Sequence, residues 1–361
     1  MADFLKYLKP FGGKSFLGVD IGTASIKAVE LVKSSGRPTL KNYGILESYG
    51  HLERVNNAIQ TSGLKLVDRQ TADLLKRLLD DMQPKTKDVV ASLPAFSVFT
   101  SLLEIPIMSQ EETAQAMQYQ AKTFVPLPLA DVTIDWIPVG EFEDPSGARK
   151  QQVFLISVPN QQIEKYRGIF EAVGLNLRFL EVETMSLARM LTAGDKATSL
   201  IVDIGARSTA IGVARDGAVK YNAQTDFAGS ALTQAVTRGL GISARRAEDL
   251  KRQRGIAGTG GEYQLSTLML PYMDAILNEV RRVRDTYEKS YHDHVERVII
   301  SGGGANLLGI EKYVSSQMGN LPTIKANPFD KIAYPPHFSP FSSELGPPLA
   351  VALGLSIKQL S

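Results

Sequence analysis

The sequence predicts an α/β fold built from two similar lobes. Residues 17–27 read LGVDIGTASIK and residues 201–211 read IVDIGARSTAI, so an apolar run, Asp, Ile and Gly recur in the same order. Elsewhere, short apolar runs typical of strands alternate with helical periodicities, which is the pattern of an α/β architecture. A unit repeated within one chain indicates that the two lobes fold alike by internal duplication.

The composition indicates a globular protein and restricts its chemistry. The chain has 361 residues, 43% of them hydrophobic, and a net charge of +2, which suits two domains or one large one. A charge balance so close to neutral gives no reason to expect a nucleic-acid partner. The absence of cysteine excludes disulfides and thiolate metal sites. The four histidines are too scattered for a metal cage, and we interpret His292 and His294 as a solvated helix end.

The sequence predicts a cytoplasmic protein. No run approaches the roughly 20 apolar residues that cross a bilayer, and no signal peptide is recognisable. Near the N-terminus, Phe4, Leu5, Leu8 and Phe11 lie among lysines. This pattern is typical of a short amphipathic helix at a membrane surface or of a terminal helix docked on the body. We favour the docked helix, because two turns bind a membrane weakly.

The elements of the first half follow from periodicity and from chain-breaking residues. Residues 16–34 alternate with period 2 around Gly22, which predicts a β-hairpin. Ser109 and Glu112 have the spacing of a capping box, which predicts a helix that Pro126 ends. The other predicted elements are a helix over 69–82, strands over 89–93, 98–105, 132–139 and 152–157, and a helix capped by Asn160 and closed by Gly174.

The second half repeats the hairpin over 200–222 and continues with helices over 228–255 and 266–291. Strand 298–300 then leads into three glycines, and residues 350–360 predict a helix rich in small residues. We therefore divide the chain into a first-lobe core of 15–87 plus 171–197, crossed by the C-terminal helix 345–361; an inserted small subdomain of 88–170; a second-lobe core of 198–237 plus 298–344; and an outer subdomain of 238–297.

The two Asp–Gly turns predict a site for a polyphosphate and its metal ion. Asp20 and Asp203 each end an apolar strand and precede a glycine that permits close approach of a phosphate. Consecutive N–H groups in such a turn form an anion nest. Mg²⁺ commonly takes one or two carboxylates with phosphate oxygens and water, so we predict that both aspartates bind it, mainly through water. The predicted nest residues are Gly22, Thr23, Ala24 and Ser25 in the first turn and Gly205, Ser208 and Thr209 in the second.

Two further features extend this site. Lys27 on the returning strand either points back towards the phosphates or is an outward lysine on a half-buried strand. Gly302, Gly303 and Gly304 follow a β-branched strand directly. Three successive glycines exceed what a strand-to-helix turn needs, and they would let a base or ribose lie against bare backbone.

Three other nucleotide or hydrolase motifs are excluded. Residues 12–15 (GGKS) resemble the end of a P-loop, but Leu8 occupies the position of the required glycine. No Gly-x-Gly-x-x-Gly follows a strand, so a dinucleotide-binding Rossmann unit is excluded as well. No Gly-x-Ser-x-Gly elbow is present.

The order of the retained motifs resembles the actin, Hsp70 and hexokinase superfamily. This resemblance implies an actin-like, ribonuclease H-like duplicated fold of two lobes, with ATP and Mg²⁺ in the cleft between them. Residues 18–27 and 201–209 look like its two phosphate loops, and residues 345–356 like its second connecting helix. Residues 301–309 look like the adenosine motif, in which the implied contacts are the three glycines, Asn306 and Leu307.

The resemblance also implies roles for two acidic segments. Glu183 falls at the start of the first connecting helix, where members of the superfamily carry an acidic or amide group that positions the attacking water. Glu181 is the second choice, and Thr184 stands where a proline is usual. Three residues resemble the helix that packs on adenine in related proteins: Glu248, Lys251 and Arg252. The same residues also fit a solvated basic helix face.

The inserted region narrows the resemblance. Residues 92–94 (SLP), 104–106 (EIP), 124–129 (FVPLPL) and 131–136 (DVTIDW) look closely like the PilM family of type IV pilus assembly proteins, relatives of the cell-division protein FtsA. The resemblance implies an FtsA-type small subdomain inserted in the first lobe. FtsA-like proteins end in an amphipathic membrane-anchoring helix, which residues 354–361 do not resemble.

The resemblance implies an ATP-binding component of the inner-membrane alignment complex of the type IV pilus. It would bind the N-terminal cytoplasmic peptide of PilN, be peripheral to the inner membrane through that partner, and meet other pilus motor or alignment proteins. ATP would close the lobes and change the groove that the peptide occupies. We expect this groove between residues 88–170 and the first lobe. Its candidate lining residues, each of which also fits a plain core position, are Leu93, Phe96, Phe99, Phe124 and Val125.

Two alternatives stay open at this point. One is an FtsA-like polymer-forming ATPase, since self-association is not readable from the sequence. The other is a phosphotransferase of the sugar-kinase type, which needs a base, usually Asp, against the acceptor hydroxyl. No Asp with a supporting motif stands out for this role. For the ATP-binding assembly protein we expect at most a slow Mg-dependent ATPase.

Overall fold

The computed structural model describes residues 15–34, 36–47, 64–144, 146–256, 263–291, 293–358 and 360, without the side chains of residues 64–67, 263 and 264. The interpretations of the N-terminal helix, of the P-loop-like run up to Lys14 and of His292 lie outside these residues.

The described residues alternate strands and helices as an α/β fold requires. Strands β1 to β13 are Ser15–Ile21, Ser25–Ser34, Arg37–Glu47, Asp88–Leu93, Phe99–Pro106, Val132–Glu143, Arg149–Pro159, Asn176–Val182, Ser199–Ile204, Thr209–Arg215, Ala218–Thr225, Arg297–Ser301 and Thr323–Lys325. Helices α1 to α9 are Leu64–Met82, Gln110–Phe124, Asn160–Ala172, Glu183–Thr192, Gly229–Leu240, Ala244–Arg254, Tyr263–Tyr291, Ile310–Gln317 and Ser342–Ile357.

Two five-stranded sheets share one topology. Their strand orders are β3-β2-β1-β4-β8 and β11-β10-β9-β12-β13. In each sheet a hairpin pairs antiparallel, and the next two strands join it in parallel. The register places Asp20 opposite Lys27 in the first hairpin and Asp203 opposite Ala210 in the second. The predicted fold class, a duplicated two-lobe α/β fold, is confirmed.

A third sheet of three strands, ordered β5-β7-β6, forms the body of an insertion. It packs with α2 around a small core of its own that includes Met117, Ala121 and Val153. Two elements of the range 88–170 pack elsewhere: β4 lies between β1 and β8 in the first sheet, and α3 packs on α1 and β8. Strand β4 belongs to the first sheet because its apolar run is buried on both faces, as is possible only for a central strand. The other domain boundaries stay predictions.

The insertion also contacts the second lobe. Edge strand β11 lies against β5 and β6. Lys220 on β11 donates a hydrogen bond to the carbonyl of Val139 on β6. Burial lowers the pKa of Lys220, and the nearby Arg215 charge lowers it further. The insertion therefore touches both lobes.

Helices α4 and α9 cross between the two sheets, and Gly354 lies at their crossing. A Cβ on Gly354 would lie 2.2 Å from the carbonyl oxygen of Ser186, and one on Gly18 would lie 2.1 Å from that of Ala352. Ser356 accepts a hydrogen bond from the Gly18 N–H at 2.8 Å. The small residues predicted for the C-terminal helix thus allow backbone-to-backbone approach.

Most element predictions are confirmed, with bounds shifted by a few residues. The capping box of Ser109 and Glu112 forms as predicted. Asn160 does not cap its helix, because its side chain bonds to Thr133 and to the carbonyl of Ala130 instead. The predicted helix 228–255 is two helices, α5 and α6, separated at Gly241, whose φ is +64°. Within the described ranges, every helix falls short of the length and apolarity needed to cross a bilayer.

Candidate functional site

The two Asp–Gly turns have the same local geometry. The Gly22 N–H donates to the carbonyl of Ser25 at 3.0 Å, and the Gly205 N–H donates to that of Ser208 at 3.1 Å. A Cβ on Gly205 would lie 2.8 Å from that carbonyl oxygen, so a larger residue could not close this turn without a shift. Because each glycine N–H closes its own turn, these two groups do not contribute to an anion nest as predicted. Thr23, Ala24 and Ser25 remain the predicted nest residues of the first turn.

Both carboxylate oxygens of Asp20 are engaged. Oδ2 lies 2.9 Å from Nζ of Lys27, and Oδ1 accepts a hydrogen bond from the Ser92 hydroxyl at 2.8 Å. Asp20 is 7% exposed. Lys27 therefore points into the site, which decides between its two interpretations.

Asp203 has the same place in the second lobe but different neighbours. Ala210 stands where the first hairpin has Lys27. Ser301 is paired with Asp203 in the sheet. Its hydroxyl donates to the carbonyl of Pro347 at 3.2 Å and also interacts with the Asp203 carboxyl. Oδ1 of Asp203 is buried and has no hydrogen-bonding partner among the described residues. A buried carboxylate oxygen without a partner is costly, so this atom is suited to a ligand.

The charges of the two lobes interact across the site. Burial raises the pKa of Asp203 to about 6; the Lys27 charge and a hydrogen bond with Ser301 oppose this rise, and the Asp20 charge adds to it. Burial and the Asp203 charge raise the pKa of Glu183 to about 8, against the hydrogen bond from the Ala95 N–H. Burial disfavours the charged form of Lys27, but the three carboxyl groups outweigh it and raise its pKa. One cation thus faces three acids, and further positive charge would be bound favourably.

The donor set fits a magnesium ion that brings its own oxygens. Among the described residues, no three acidic or histidine side chains are grouped so as to hold a metal. Asp203 offers a free, buried oxygen, whereas the carboxylate of Asp20 is held by Lys27 and Ser92. Mg²⁺ typically retains water and uses substrate phosphates beside one or two carboxylates, which matches this sparse arrangement.

The structure separates the two candidate glutamates. Glu181, which is buried, pairs with Arg189 through both of its oxygens and with Lys358 at 2.9 Å. Burial opposes its ionisation, but these two cations prevail and lower its pKa to about 2. Glu183, the first residue of α4, instead interacts with Asp20, Asp203 and Lys27. Glu181 therefore ties α4 to the C-terminal helix, and Glu183 is the glutamate that interacts with the aspartates.

The three glycines differ in what they contact. A Cβ on Gly302 would lie 2.6 Å from the carbonyl oxygen of Ile204, and one on Gly304 would lie 2.4 Å from the Ile204 side chain. Both glycines thus serve the packing of this turn against β9. Gly303 has nothing within 4 Å of its Cβ position, so it alone presents open backbone.

Other predicted residues of this motif and of the second turn have structural partners. Asn306 donates to the carbonyl of Glu344 at 2.8 Å and accepts from Lys325 at 3.2 Å. Leu307 is buried in the core of the second lobe. Thr209 donates to the carbonyl of Phe227 at 2.8 Å, and the carbonyl of Ser208 closes its turn.

Helix α6 reaches the second turn through a lysine. Nζ of Lys251 lies 2.6 Å from Glu248 and donates to the carbonyl of Gly229 at 3.0 Å. The Gly229 N–H in turn donates to the carbonyl of Gly205 at 3.0 Å. The alternative of a solvated basic face does not apply to Lys251, which is buried.

Two residues near the site were not predicted from the sequence as site residues. Ser92 is the second-last residue of β4, as Asp20 is of β1; it lay in the run 92–94 that carried the family resemblance, but no role in the site was assigned to it. Glu47 ends β3 and pairs with Ser25 in the sheet. No sequence pattern indicated Glu47, because β3 itself was not predicted.

The candidate groove residues divide into core and surface. Leu93 and Val125 are buried in two different cores, which agrees with the alternative interpretation of these residues as plain core positions. Phe96 is 50% exposed and Phe124 is 46% exposed, while Phe99 is half-buried.

Comparison with known proteins gives the family. The family model "Type IV pilus assembly protein PilM" matches residues 18–360. The cell division protein FtsA of Enterococcus faecalis is 23% identical over 377 residues, covering 88% of this chain and 83% of that protein.

Similar solved structures give the same fold. A chain of the PilM–PilN type IV pilus biogenesis complex has a TM-score of 0.80 at 23% identity, covering 96% of this chain and 98% of that one. MreB 5 of Spiroplasma citri bound to AMPPNP has a TM-score of 0.51 at 14% identity, covering 94% of each chain. EutJ, an ethanolamine utilization protein of Carboxydothermus hydrogenoformans, has a TM-score of 0.51 at 17% identity, covering 96% of this chain and 90% of its own. These structures confirm the actin-like fold, and the family match over almost the whole sequence means that this chain belongs to the PilM family of type IV pilus assembly proteins.

Proposed function

We propose that this protein binds ATP with Mg²⁺ between its lobes and that the bound nucleotide controls its attachment to the N-terminal cytoplasmic peptide of PilN. The observation that carries the nucleotide site is the meeting of the two duplicated turns. Lys27 of the first lobe interacts with Asp203 of the second as well as with Asp20 beside it. A polyphosphate placed there would meet a lysine, glycine-containing turns and, through magnesium, the free oxygen of Asp203.

The roles within this site follow from the contacts. Lys27 would bind phosphate oxygens, and Asp203 would hold the magnesium ion, whose charge neutralises the polyphosphate. Ser92 keeps the carboxylate of Asp20 fixed. Gly303 would lie against the adenosine, and the Glu248–Lys251 pair would support the second turn from behind.

Glu183 would position the attacking water, and its protonation argues for slow hydrolysis. Its pKa of about 8 leaves it mostly neutral at pH 7, so it is a poor general base in the protein without nucleotide. Such a site suits a protein that changes conformation on binding ATP more than one that turns over quickly.

The partner follows from the family and from the PilM–PilN complex to which the chain is similar. A peptide bound between the insertion and the first lobe would meet Phe96, which is 50% exposed, and Phe99, which is half-buried at the edge of the small core of the insertion. Through that peptide the protein would be attached to the cytoplasmic side of the inner membrane.

Two measurements test this function. Titration calorimetry with ATP and Mg²⁺ should give saturable binding that Asp203→Asn weakens; absence of binding by the unmodified protein would overturn the nucleotide site. A fluorescent PilN N-terminal peptide should bind with an affinity that depends on ATP·Mg, while a scrambled peptide should not bind. Equal affinity with and without nucleotide would refute the control by nucleotide.

A further inference from the structure

An ion pair joins the two lobes beside the candidate site. Nη2 of Arg252, on helix α6 of the second lobe, lies 3.2 Å from Oε1 of Glu47, the last residue of β3 in the first lobe. Nη1 of the same guanidinium lies 3.5 Å from Oε2. The two-pronged geometry is the one in which an arginine–carboxylate pair is most specific.

The first-lobe end of this contact lies at the first turn. Glu47 is paired with Ser25 across the sheet, and Leu46 with Ile26. Ser25 closes the turn through its carbonyl. Glu47 therefore stands directly beside one of the two predicted phosphate-binding turns.

The second-lobe end is tied to the second turn. Nε of Arg252 lies 3.0 Å from Oε1 of Glu248, and Glu248 pairs with Lys251. From Lys251 two hydrogen bonds lead through Gly229 to Gly205. The network runs from one turn to the other without passing through the aspartates.

We propose that Glu47 is a positioning residue of the nucleotide site: it holds Arg252 across the mouth of the cleft, so that a nucleotide can leave only when this contact between the lobes breaks. This inference rests on the proposed nucleotide site. It adds that the lifetime of the bound nucleotide depends on an exposed carboxylate that does not touch the nucleotide.

The expected effect is modest and dependent on salt. The Arg252 and Glu47 side chains are 52% and 43% exposed, and pairs so exposed contribute little and are screened by ions. Removing the pair should speed nucleotide release about two- to fivefold at low salt. High salt, which screens the ion pair, should likewise speed nucleotide release from the unmodified protein.

The test is stopped-flow release of a fluorescent MANT-ATP·Mg complex from the full-length protein, chased with unlabelled ATP. Glu47→Gln should release faster at about 50 mM salt and should lose most of the acceleration that the unmodified protein shows at about 500 mM salt. Glu47→Lys, which places like charges together, should release faster still. Glu164→Gln is the matched control, because it removes an exposed ion pair with Arg167 that lies within one helix and does not join the lobes.

The outcomes separate the two proposals. If MANT-ATP binds but Glu47→Gln and Glu47→Lys release it at the unmodified rate with unmodified salt dependence, the inference about Glu47 is wrong while the nucleotide site stands. If the unmodified protein does not bind MANT-ATP, the nucleotide site is refuted and the inference with it. An equal acceleration by Glu164→Gln would show a general effect of ion pairs and would also overturn the inference.

Discussion

The Lys27 ammonium and the Asp20 carboxylate face each other across two neighbouring antiparallel strands, 2.9 Å apart. The second hairpin has no such pair, because Ala210 stands opposite Asp203. The duplication is thus symmetric in backbone and asymmetric in charge. The first lobe contributes Asp20, whose charge is already balanced by Lys27. The second contributes Asp203, whose Oδ1 has no hydrogen-bonding partner among the described residues.

Replacing Lys27 by methionine should weaken nucleotide binding about 10- to 100-fold, since a hydrogen bond to a charged group contributes roughly 1.5–3 kcal/mol. Without the lysine, three acids would face the phosphates. Titration calorimetry with ATP·Mg measures the effect. Lys33→Met is the matched control, because Lys33 lies on the same strand and is exposed. Unchanged affinity of Lys27→Met would contradict the placement of the phosphates.

Without nucleotide, the free energy of unfolding should fall as pH rises from about 4 to about 8. The pKa values of Asp203 and Glu183 are raised to about 6 and about 8 in the folded protein, whereas unfolded carboxyls titrate near pH 4. The folded state then binds more protons than the unfolded state in this window, so rising pH favours unfolding. Below about pH 4 both states are protonated and the effect vanishes.

Glu183→Gln should therefore stabilise the protein at pH 8, by on the order of 1–3 kcal/mol. The glutamine keeps an oxygen for the Ala95 N–H and removes the charge that burial disfavours. Chemical denaturation at pH 5 and pH 8 would measure it, with the exposed Glu171→Gln as control. A stability gain that is equal at both pH values would rule out titration of Glu183 as the cause.

Glu181→Gln should instead destabilise the protein, although only one residue separates Glu181 from Glu183. Glu181 is paired with Arg189 and Lys358, and removing one member of a buried ion pair costs about 3–5 kcal/mol. Its pKa is lowered to about 2, so its contribution is complete above about pH 4 and is lost as pH falls towards 2. Thermal unfolding of Glu181→Gln and Glu183→Gln side by side at pH 8 would show one variant melting lower and the other higher.

Gly354→Ala should destabilise the protein by about 1–3 kcal/mol or more, because the new methyl would meet the backbone of the crossing helix α4. Gly168→Ala in α3 meets nothing within 4 Å and should stabilise by about 0.5–1 kcal/mol through helix propensity. Differential scanning calorimetry distinguishes the two. If both substitutions raised the melting temperature, the close crossing of α4 and α9 would be wrong.

Much of the fold could be predicted because its signals are local. The hairpins follow from period-2 alternation around Asp–Gly turns, and the helix after Ser109 follows from its capping box. Strands β3 and β8 escaped prediction. Pro38, Gly44 and polar residues interrupt β3, which is held extended by its pairing with β2 and by backbone hydrogen bonds with Ala333. The small-residue pattern of the last helix correctly predicted a close crossing but not its partner.

By itself, the amino-acid sequence determined the duplicated Asp–Gly turns, the two-lobe architecture and the family. These depend on residues close together in the chain, where periodicity and turn chemistry act. Only the tertiary structure decided that Glu181 is bound by Arg189 and Lys358 while Glu183 stands by the aspartates, and that Arg252 reaches Glu47 in the other lobe. Burial and the approach of distant charges set these roles, and neither is encoded in the spacing of neighbouring residues.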